Sequence, residues 1–201
     1  MNRVLSCRPT NEAIRGEVGG FAAVVRYYGS LRREIEQSGG LPYRLTAMGA
    51  WAASRPSHVR FFFREVGLNR YRHFVDLGSG DGIVTCIAAL FTRATGIEID
   101  RELCSVAGRA VRDLNLGKRA DFICGDYLTQ NLHKADCLYI YPDKPVYELE
   151  KALDGWAGTL LIYGPHFSPV NLKMVQRLDC GKESLTVYRN PDASRTAGFA
   201  V

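Results

Sequence analysis

The sequence lacks three features that would each assign it to a large class of proteins. It has no apolar run long enough to span a bilayer, so we expect a soluble protein without a transmembrane helix. Its first residues, MNRVLSCRPTNEAIRGE, contain no apolar segment of the secretory type, and a cytoplasmic location is therefore expected. Its six cysteines include no C-x-x-C pair, and we interpret them as reduced thiols of the core rather than as a metal or redox site.

Lysine is absent from residues 1–72, which hold twelve arginines and five glutamates, a balance of +7. The remaining residues carry fourteen basic and sixteen acidic side chains, a balance of −2. Because arginine binds phosphate well, the basic half allows contacts with RNA. The arginines are nevertheless scattered along predicted helices, which is also typical of an ordinary solvated surface.

Residues 1–71 predict an N-terminal helical extension that acts as a lid or a substrate-docking surface. From Asn11 to Gln37 the apolar residues recur every three or four positions, which predicts an amphipathic helix. The pair Gly19-Gly20 leaves open whether this is one helix or two. We predict a second helix from Leu45 to Ala53 and a third that begins at Pro56 and ends at Gly67.

Residues 72–191 alternate short β-rich segments with helical ones, which predicts an α/β fold with a doubly wound, mostly parallel seven-strand sheet. The closing segment, KMVQRLDCGKESLTVYRN, contains two strand-like runs separated by only a few residues and predicts an antiparallel C-terminal hairpin. Residues 192–201 are expected to form a flexible tail. The five parallel strands are predicted within HFVDLG, ATGIEID, ADFICGD, ADCLYIYP and AGTLLIYG.

The turn after the first strand of this sheet is the strongest candidate for a ligand site, because open parallel sheets bind ligands at such a point. Its glycines form G-x-G-x-G, whereas a dinucleotide fold wants G-x-G-x-x-G. Its carboxylates would repel a diphosphate and attract a cation, so the turn predicts a ligand that carries an ammonium group. The candidate residues are Asp76, Gly78, Ser79, Gly80, Asp81 and Gly82.

The next two strands end in acidic residues as well. Glu98, with Ile99 beside it, follows the turn by about twenty residues, where a carboxylate accepts hydrogen bonds from ribose hydroxyls. Asp126 ends the third strand, where it is suited to accept from an exocyclic amine while Tyr127 lies against a purine. In this order the motifs resemble those of class I seven-strand S-adenosylmethionine-dependent methyltransferases. The resemblance implies that S-adenosyl-L-methionine is the cofactor and that these residues bind it.

The end of the fourth strand is where this family places groups that face the methyl acceptor. Methyltransferases of exocyclic nucleic-acid amines carry an Asn/Asp-Pro-Pro-aromatic tetrad there, whereas this sequence reads Tyr141-Pro142-Asp143-Lys144. We take Asp143 and Tyr141 as candidate catalytic residues that orient a cationic acceptor, with a turn residue and a packing ring as the alternatives. Tyr139 shares the face of Tyr141, with packing against a helix as its alternative, and His166 is a candidate proton acceptor, with a structural or solvated role as its alternative.

The helix that precedes the glycine turn, with Pro56-Ser57 at its start, is similar to an element of the archaeal and mitochondrial type of protein-lysine methyltransferase. The leading hypothesis is therefore methyl transfer to an amine, a protein lysine above all. An RNA or small-molecule methyltransferase and a non-catalytic S-adenosylmethionine-binding protein remain as alternatives.

Overall fold

The protein is described here from a computed structural model that covers residues 11–37, 44–46, 49–51 and 54–191. These residues form five α-helices and nine β-strands. In chain order they are α1 (Asn11–Gln37), β1 (Arg44–Thr46), β2 (Gly49–Trp51), α2 (Pro56–Glu65), β3 (His73–Leu77), α3 (Ile83–Ala88), β4 (Arg93–Glu98), α4 (Arg101–Asp113), β5 (Ala120–Cys124), β6 (Cys137–Ile140), α5 (Tyr147–Ala152), β7 (Thr159–Tyr163), β8 (Lys173–Cys180) and β9 (Glu183–Arg189).

Seven strands form one sheet in the order β5-β4-β3-β6-β7-β9-β8. The first five of these run parallel to one another, and β9 pairs antiparallel with both β7 and β8. The strand order reverses at β3, because the chain builds outward to β5 on one side and returns to β6 on the other. The predicted fold class is thereby confirmed, including the C-terminal hairpin.

The two faces of the sheet are covered by different parts of the chain. Residues of α1, α2, α3 and α4 pack on one face in a single cluster, in which Phe63 of α2 contacts Phe74 of the sheet and Phe62 contacts Tyr163. On the other face α5 and its flanking loops bury Leu149, Leu153 and Trp156. Because α1 and α2 share their core with the sheet, the N-terminal helices are packed directly against the layer that holds the candidate site.

Helix α1 is continuous over 27 residues, so the glycine pair does not divide it. Gly20 instead allows a close helix approach: a Cβ atom built there would lie 2.7 Å from Cδ2 of Leu90, just beyond α3. Gly16 and Gly19 have no such neighbour. The glycine that weakens α1 as an isolated helix thus lets it pack closely against the rest of the protein.

The helix predicted from Leu45 to Ala53 is wrong. The described residues of this segment form β1 and β2, which pair antiparallel with Thr46 opposite Gly49. Glycine is a poor helix former and threonine is β-branched, so the local sequence tolerates a hairpin as well as a helix. The helix predicted from Pro56 is present as α2. It begins at Pro56 and ends at Glu65, two residues before Gly67, which has a left-handed backbone conformation.

The cysteines only partly follow the expectation of core thiols. Cys86 and Cys137 are buried, Cys104 and Cys180 are intermediate, and Cys124 is exposed at the end of an edge strand. No group of three or more potential metal-ligating side chains occurs among the described residues. None of the described helices has the length and apolarity needed to cross a membrane. The predicted tail at 192–201 lies outside the described residues.

Candidate active site

The glycine turn between β3 and α3 has a backbone that requires glycine. Gly78, Gly80 and Gly82 have φ angles of 74°, 57° and 87°, in the left-handed region that other residues rarely adopt. A Cβ atom on Gly82 would lie 2.5 Å from Cζ of Phe122, whereas one on Gly78 would meet nothing within 4 Å. Gly82 is therefore needed for packing, and Gly78 leaves the cleft above the turn open.

Glu98 holds this turn in place from the neighbouring strand. Its Oε2 accepts a hydrogen bond from the Gly80 N–H at 2.8 Å, and its Oε1 accepts one from the Asp100 N–H at 2.9 Å. Only 7% of Glu98 is exposed. The carboxylate thus joins the ends of β3 and β4, while lone pairs on its oxygens remain for a ligand. Asp100, interpreted here as a helix cap, accepts from the N–H groups of Glu102 and Leu103 at the start of α4.

Two buried aspartates flank the turn. Asp76, only 2% exposed, accepts a hydrogen bond from Thr85 Oγ1 at 2.8 Å. Burial, helped by the nearby charges of Glu98 and Asp81 and opposed by the hydrogen bond from Thr85, raises the pKa of Asp76 to about 7. Burial also raises the pKa of Asp81 to about 6, with the Ile83 N–H and the Arg32 charge opposing it. A bound cation would stabilise the charged form of both carboxyl groups, which burial disfavours.

The wall beyond β4 and β5 contains the residues predicted to contact a purine. Asp126 begins a short 3-10 turn, and its Oδ1 accepts from the Leu128 N–H at 2.8 Å. Burial raises the pKa of the adjacent Tyr127, and the charges of Asp126 and Asp143 raise it further. Asp143 is therefore close enough to Tyr127 to act on it across the cleft. Ile99, which is 41% exposed, lines the same wall.

The opposite end of the cleft lies at the carboxyl ends of β6 and β7. Tyr141, 44% exposed, lines it together with Asp143 and His166. Tyr139 belongs to the core, since it is 1% exposed and packs against Phe63 and Phe74. The packing alternative for Tyr139 is thus confirmed, although its hydroxyl lies 3.4 Å from Ser54 Oγ and both residues line the cleft.

Ten of the twelve predicted site residues line one cleft of about 460 Å³. The other two, Gly80 and Gly82, are buried inside the turn that forms its floor. Sequence reasoning missed Ser54 and Leu103, which line the cleft from the start of α2 and from α4. Their positions depend on how these helices pack, for which a single serine or leucine gives no signal. The binding and catalytic roles of the twelve residues remain predictions.

Helix α1 contacts the buried side of the glycine turn, and the sequence does not indicate this contact. Buried Tyr28 donates a hydrogen bond to the backbone oxygen of Asp81 at 2.9 Å. Arg32, one turn later, is close enough to Asp81 to lower the pKa of its carboxyl group. The helix is further joined to α2 by an ion pair between Glu17 and Arg60 at 2.6 Å. The N-terminal helix therefore supports the turn directly.

Removing the Tyr28 hydroxyl is expected to destabilise the protein measurably. Tyr28→Phe leaves the buried Asp81 carbonyl without its donor and should lower the free energy of unfolding by about 1–3 kcal/mol. Tyr27→Phe is the matched control, because the Tyr27 hydroxyl bonds Asp113 in an exposed contact at 3.2 Å and its loss should cost roughly 0.5 kcal/mol or less. Urea unfolding of the three proteins measures both effects, and equal losses would contradict the role of Tyr28.

Two comparisons of sequence place these features among known proteins. Residues 43–138, just under half of the chain, match the family described as histone methylation protein DOT1. A protein-L-isoaspartate O-methyltransferase from Thermotoga maritima is 26% identical over 134 residues. That alignment covers 62% of this chain and 39% of the relative, so the chain spans only about two-fifths of that protein.

Solved structures share the fold more extensively. An RNA methyltransferase from Salinibacter ruber, in complex with S-adenosyl-L-homocysteine, has a TM-score of 0.60 at 19% identity and covers 70% of this chain and 95% of its own. A methyltransferase from Geobacter sulfurreducens has a TM-score of 0.60 at 17% identity and covers 92% and 98%. At these identities the likeness establishes a common fold.

Proposed function

We propose that the chain is a class I S-adenosylmethionine-dependent methyltransferase, and that it transfers a methyl group from S-adenosylmethionine to the side-chain amine of a protein lysine. The observation that carries the lysine assignment is the acceptor end of the cleft. Tyr141 and Asp143 are exposed there, where an Asn/Asp-Pro-Pro-aromatic tetrad would hold a planar nucleobase amine. The match to a histone-methylation family supports the same choice.

The cofactor fits the residues at the other end of the cleft. Its cationic groups suit the buried carboxyls of Asp76 and Asp81, and its ribose hydroxyls suit Glu98. Ser79 and the exposed Gly78 line the cleft beside these carboxyls, where the backbone of the turn is open to a ligand. When bound, S-adenosylmethionine supplies an electrophilic methyl group on a sulfonium.

The protein's task is then to align the acceptor and to take up its proton. A lysine amine with a pKa near 10.4 costs roughly 4–5 kcal/mol to deprotonate at neutral pH. Asp143 orients the ammonium in this proposal, and His166, which lines the same end of the cleft, is the candidate proton acceptor. Ser54, in the segment that precedes α2, lines the cleft, in keeping with a role of the N-terminal region in docking the acceptor.

Transfer of label from S-adenosylmethionine tests the proposal. The protein is incubated with cell lysate and cofactor labelled in the methyl group, and the products are treated separately with protease and with ribonuclease. Methyl-lysine in the hydrolysed protein fraction supports the assignment. Label that ribonuclease removes would indicate RNA, label lost under mild alkali would indicate a carboxyl ester, and cofactor binding without any transfer would indicate a non-catalytic binding protein.

An RNA acceptor is favoured by one specific observation, the exposed arginines of α1 and α2, including Arg26, Arg33 and Arg64. Arginine contacts to phosphates make binding fall steeply with salt. The affinity for non-specific RNA, measured at increasing salt concentration, tests this alternative. An affinity that does not change with salt would argue against an RNA acceptor, whereas an affinity that falls steeply with salt would support one.

Replacing Asp143 is expected to separate turnover from cofactor binding. Asp143 is exposed at the acceptor end, so Asp143→Ala should leave the affinity for S-adenosylmethionine unchanged and reduce kcat by about 10-fold or more. Asp154→Ala, at an exposed position remote from the cleft, is the control. Methylation kinetics together with calorimetry provide both quantities. Turnover equal to that of the control would return Asp143 to the role of a turn residue.

A further inference from the structure

Two of the cysteines approach the same backbone oxygen at the carboxyl end of β4. Cys124, the last residue of β5, is the register partner of Glu98, the last residue of β4. Cys104, in the first turn of α4, donates a hydrogen bond from its Sγ to the backbone oxygen of Glu98 at 3.1 Å. The N–H of Gly125 donates to the same oxygen at 2.8 Å. This oxygen thus contacts both Cys104 and the residue that directly follows Cys124.

Cys124 lies on the face of β5 that α4 covers. Side chains alternate along a strand, so Cys124 shares a face with Ala120 and Phe122. Both of these residues pack in the cluster that includes Ala110 and Val111 of α4. Because α4 connects two parallel strands, it runs antiparallel to them, and its first turn lies at the carboxyl edge of the sheet. The strand alternation and the helix direction therefore bring the two cysteines together between β5 and α4.

The two thiols differ in their surroundings. Cys124 is exposed, whereas Cys104 is partly buried. Burial, helped by the interaction with Cys124 and by the charges of Glu98 and Asp100, raises the pKa of the Cys104 thiol to about 12. Because the thiolate is the reactive form of a cysteine, Cys104 is protected from direct oxidation. Cys124 is the thiol that an oxidant in solution reaches first.

We propose that Cys104 and Cys124 form a redox-sensitive pair that a peroxide closes to a disulfide, and that this disulfide weakens the binding of S-adenosylmethionine. A sulfenic acid on an exposed cysteine condenses with a neighbouring thiol. The pairing of the two cysteines is independent of the proposed function, whereas the effect on the cofactor rests on it.

The reaction consumes one hydrogen peroxide and produces two waters. The Cys124 thiolate attacks one peroxide oxygen and the O–O bond breaks, which leaves a sulfenic acid, while the other oxygen takes up the Cys124 proton and departs as water. The Cys104 sulfur then attacks the Cys124 sulfur. The S–S bond forms, the S–O bond breaks, and the departing hydroxide takes the Cys104 proton as the second water. The two sulfur atoms lose two electrons to the peroxide, and a dithiol reductant returns them.

The disulfide removes a contact behind the predicted ribose site. Cys104 donates to the Glu98 carbonyl as a thiol, and a disulfide has no proton to donate. The new bond also ties α4 to the segment of Gly125 and Asp126, which line the cleft directly after Cys124. The loss of one hydrogen bond at this position predicts a decrease of about 5-fold in the affinity for S-adenosylmethionine.

Mass spectrometry of the oxidised full chain tests the pairing. The protein is treated with an equimolar amount of hydrogen peroxide, remaining thiols are alkylated, and the chain is digested with trypsin. We expect residues 102–109 joined to residues 120–134, at the summed mass of the two peptides less two hydrogens. Cys124→Ser, at an exposed position, and Cys104→Ser should each abolish this product. Cys180→Ser changes another partly buried cysteine and should form the product as the wild type does.

Calorimetry with S-adenosylmethionine tests the effect on the cofactor. We expect oxidised wild type to bind about 5-fold more weakly than reduced wild type, dithiothreitol to restore the affinity, and Cys124→Ser to be unaffected by the same treatment. A wild type that keeps both thiols, or in which Cys124 becomes a sulfinic acid while Cys104 stays free, would overturn the pairing. Equal affinity of the reduced and the disulfide-bonded protein would overturn the effect on the cofactor. Absence of binding by the reduced wild type would instead refute the proposed function, whatever the disulfide result.

Discussion

Asp76→Asn is expected to stabilise the ligand-free protein above neutral pH while eliminating measurable S-adenosylmethionine binding. The wild-type carboxyl group is buried, and its pKa of about 7 reflects the cost of holding a charge in that position. Asparagine keeps an oxygen to accept the hydrogen bond from Thr85 and never carries the charge. The same substitution removes the carboxylate that a cationic cofactor needs.

The sign of the effect follows from the two protonation states. An unfolded aspartate loses its proton near pH 3.8, whereas Asp76 in the folded protein retains it to about pH 7. The folded state therefore binds more protons between about pH 4 and 7, and the free energy of unfolding falls as the pH rises through this window. The stability that Asp76 contributes below this window is lost above it, and the loss is on the order of 2–4 kcal/mol. Asp81 is present in both proteins, so the comparison isolates Asp76.

Urea unfolding at pH 5 and pH 8 provides the measurement. We expect the free energy of unfolding of Asp76→Asn to exceed that of the wild type at pH 8, with a much smaller difference at pH 5. Asp154→Asn, at an exposed turn position, should follow the wild type at both values. A variant that is less stable than the wild type at pH 8 would contradict the buried-charge interpretation.

Much of the fold follows from local patterns. The alternation of β-rich and helical segments gives the order of strands and helices, and the short separation of the last two runs gives the antiparallel hairpin. The same alternation brings Asp76, Glu98 and Asp126 together, because each ends a neighbouring parallel strand. For each of these three residues, its position at the end of its own strand is enough to predict that it lies at the carboxyl edge of the sheet.

The contacts that were not predicted depend on packing between distant segments. Tyr28 lies 53 residues before Asp81 and resembles any other apolar residue of an amphipathic helix. Ser54 lines the cleft only because the segment before α2 packs beside β6, where its Oγ lies 3.4 Å from the hydroxyl of Tyr139, 85 residues later in the chain. Neither residue belongs to a motif, so only the assembled sheet and helices reveal them.

Gly78→Ala is expected to abolish S-adenosylmethionine binding while the protein stays folded. The Cβ atom meets nothing within 4 Å in the ligand-free protein, so the cost to the fold is the strain of φ 74° alone, about 1–2 kcal/mol. Gly78 lines the cleft at the carboxyl end of β3, and the added methyl group occupies the space above the turn. The loss of affinity should be about 100-fold or more, as for a ligand displaced by direct overlap.

Gly155→Ala is the matched control for the backbone strain. Gly155 has a φ of 68° and also has no atom within 4 Å of a built Cβ, but it lies after α5, away from the cleft. Both variants should lose similar stability in urea unfolding, and only Gly78→Ala should lose cofactor affinity by calorimetry. Equal affinity in the two variants would mean that the ligand does not approach the backbone of the turn at Gly78. Since the predicted binding of the cofactor at the glycine turn requires that approach, this result would contradict binding of S-adenosylmethionine in the cleft.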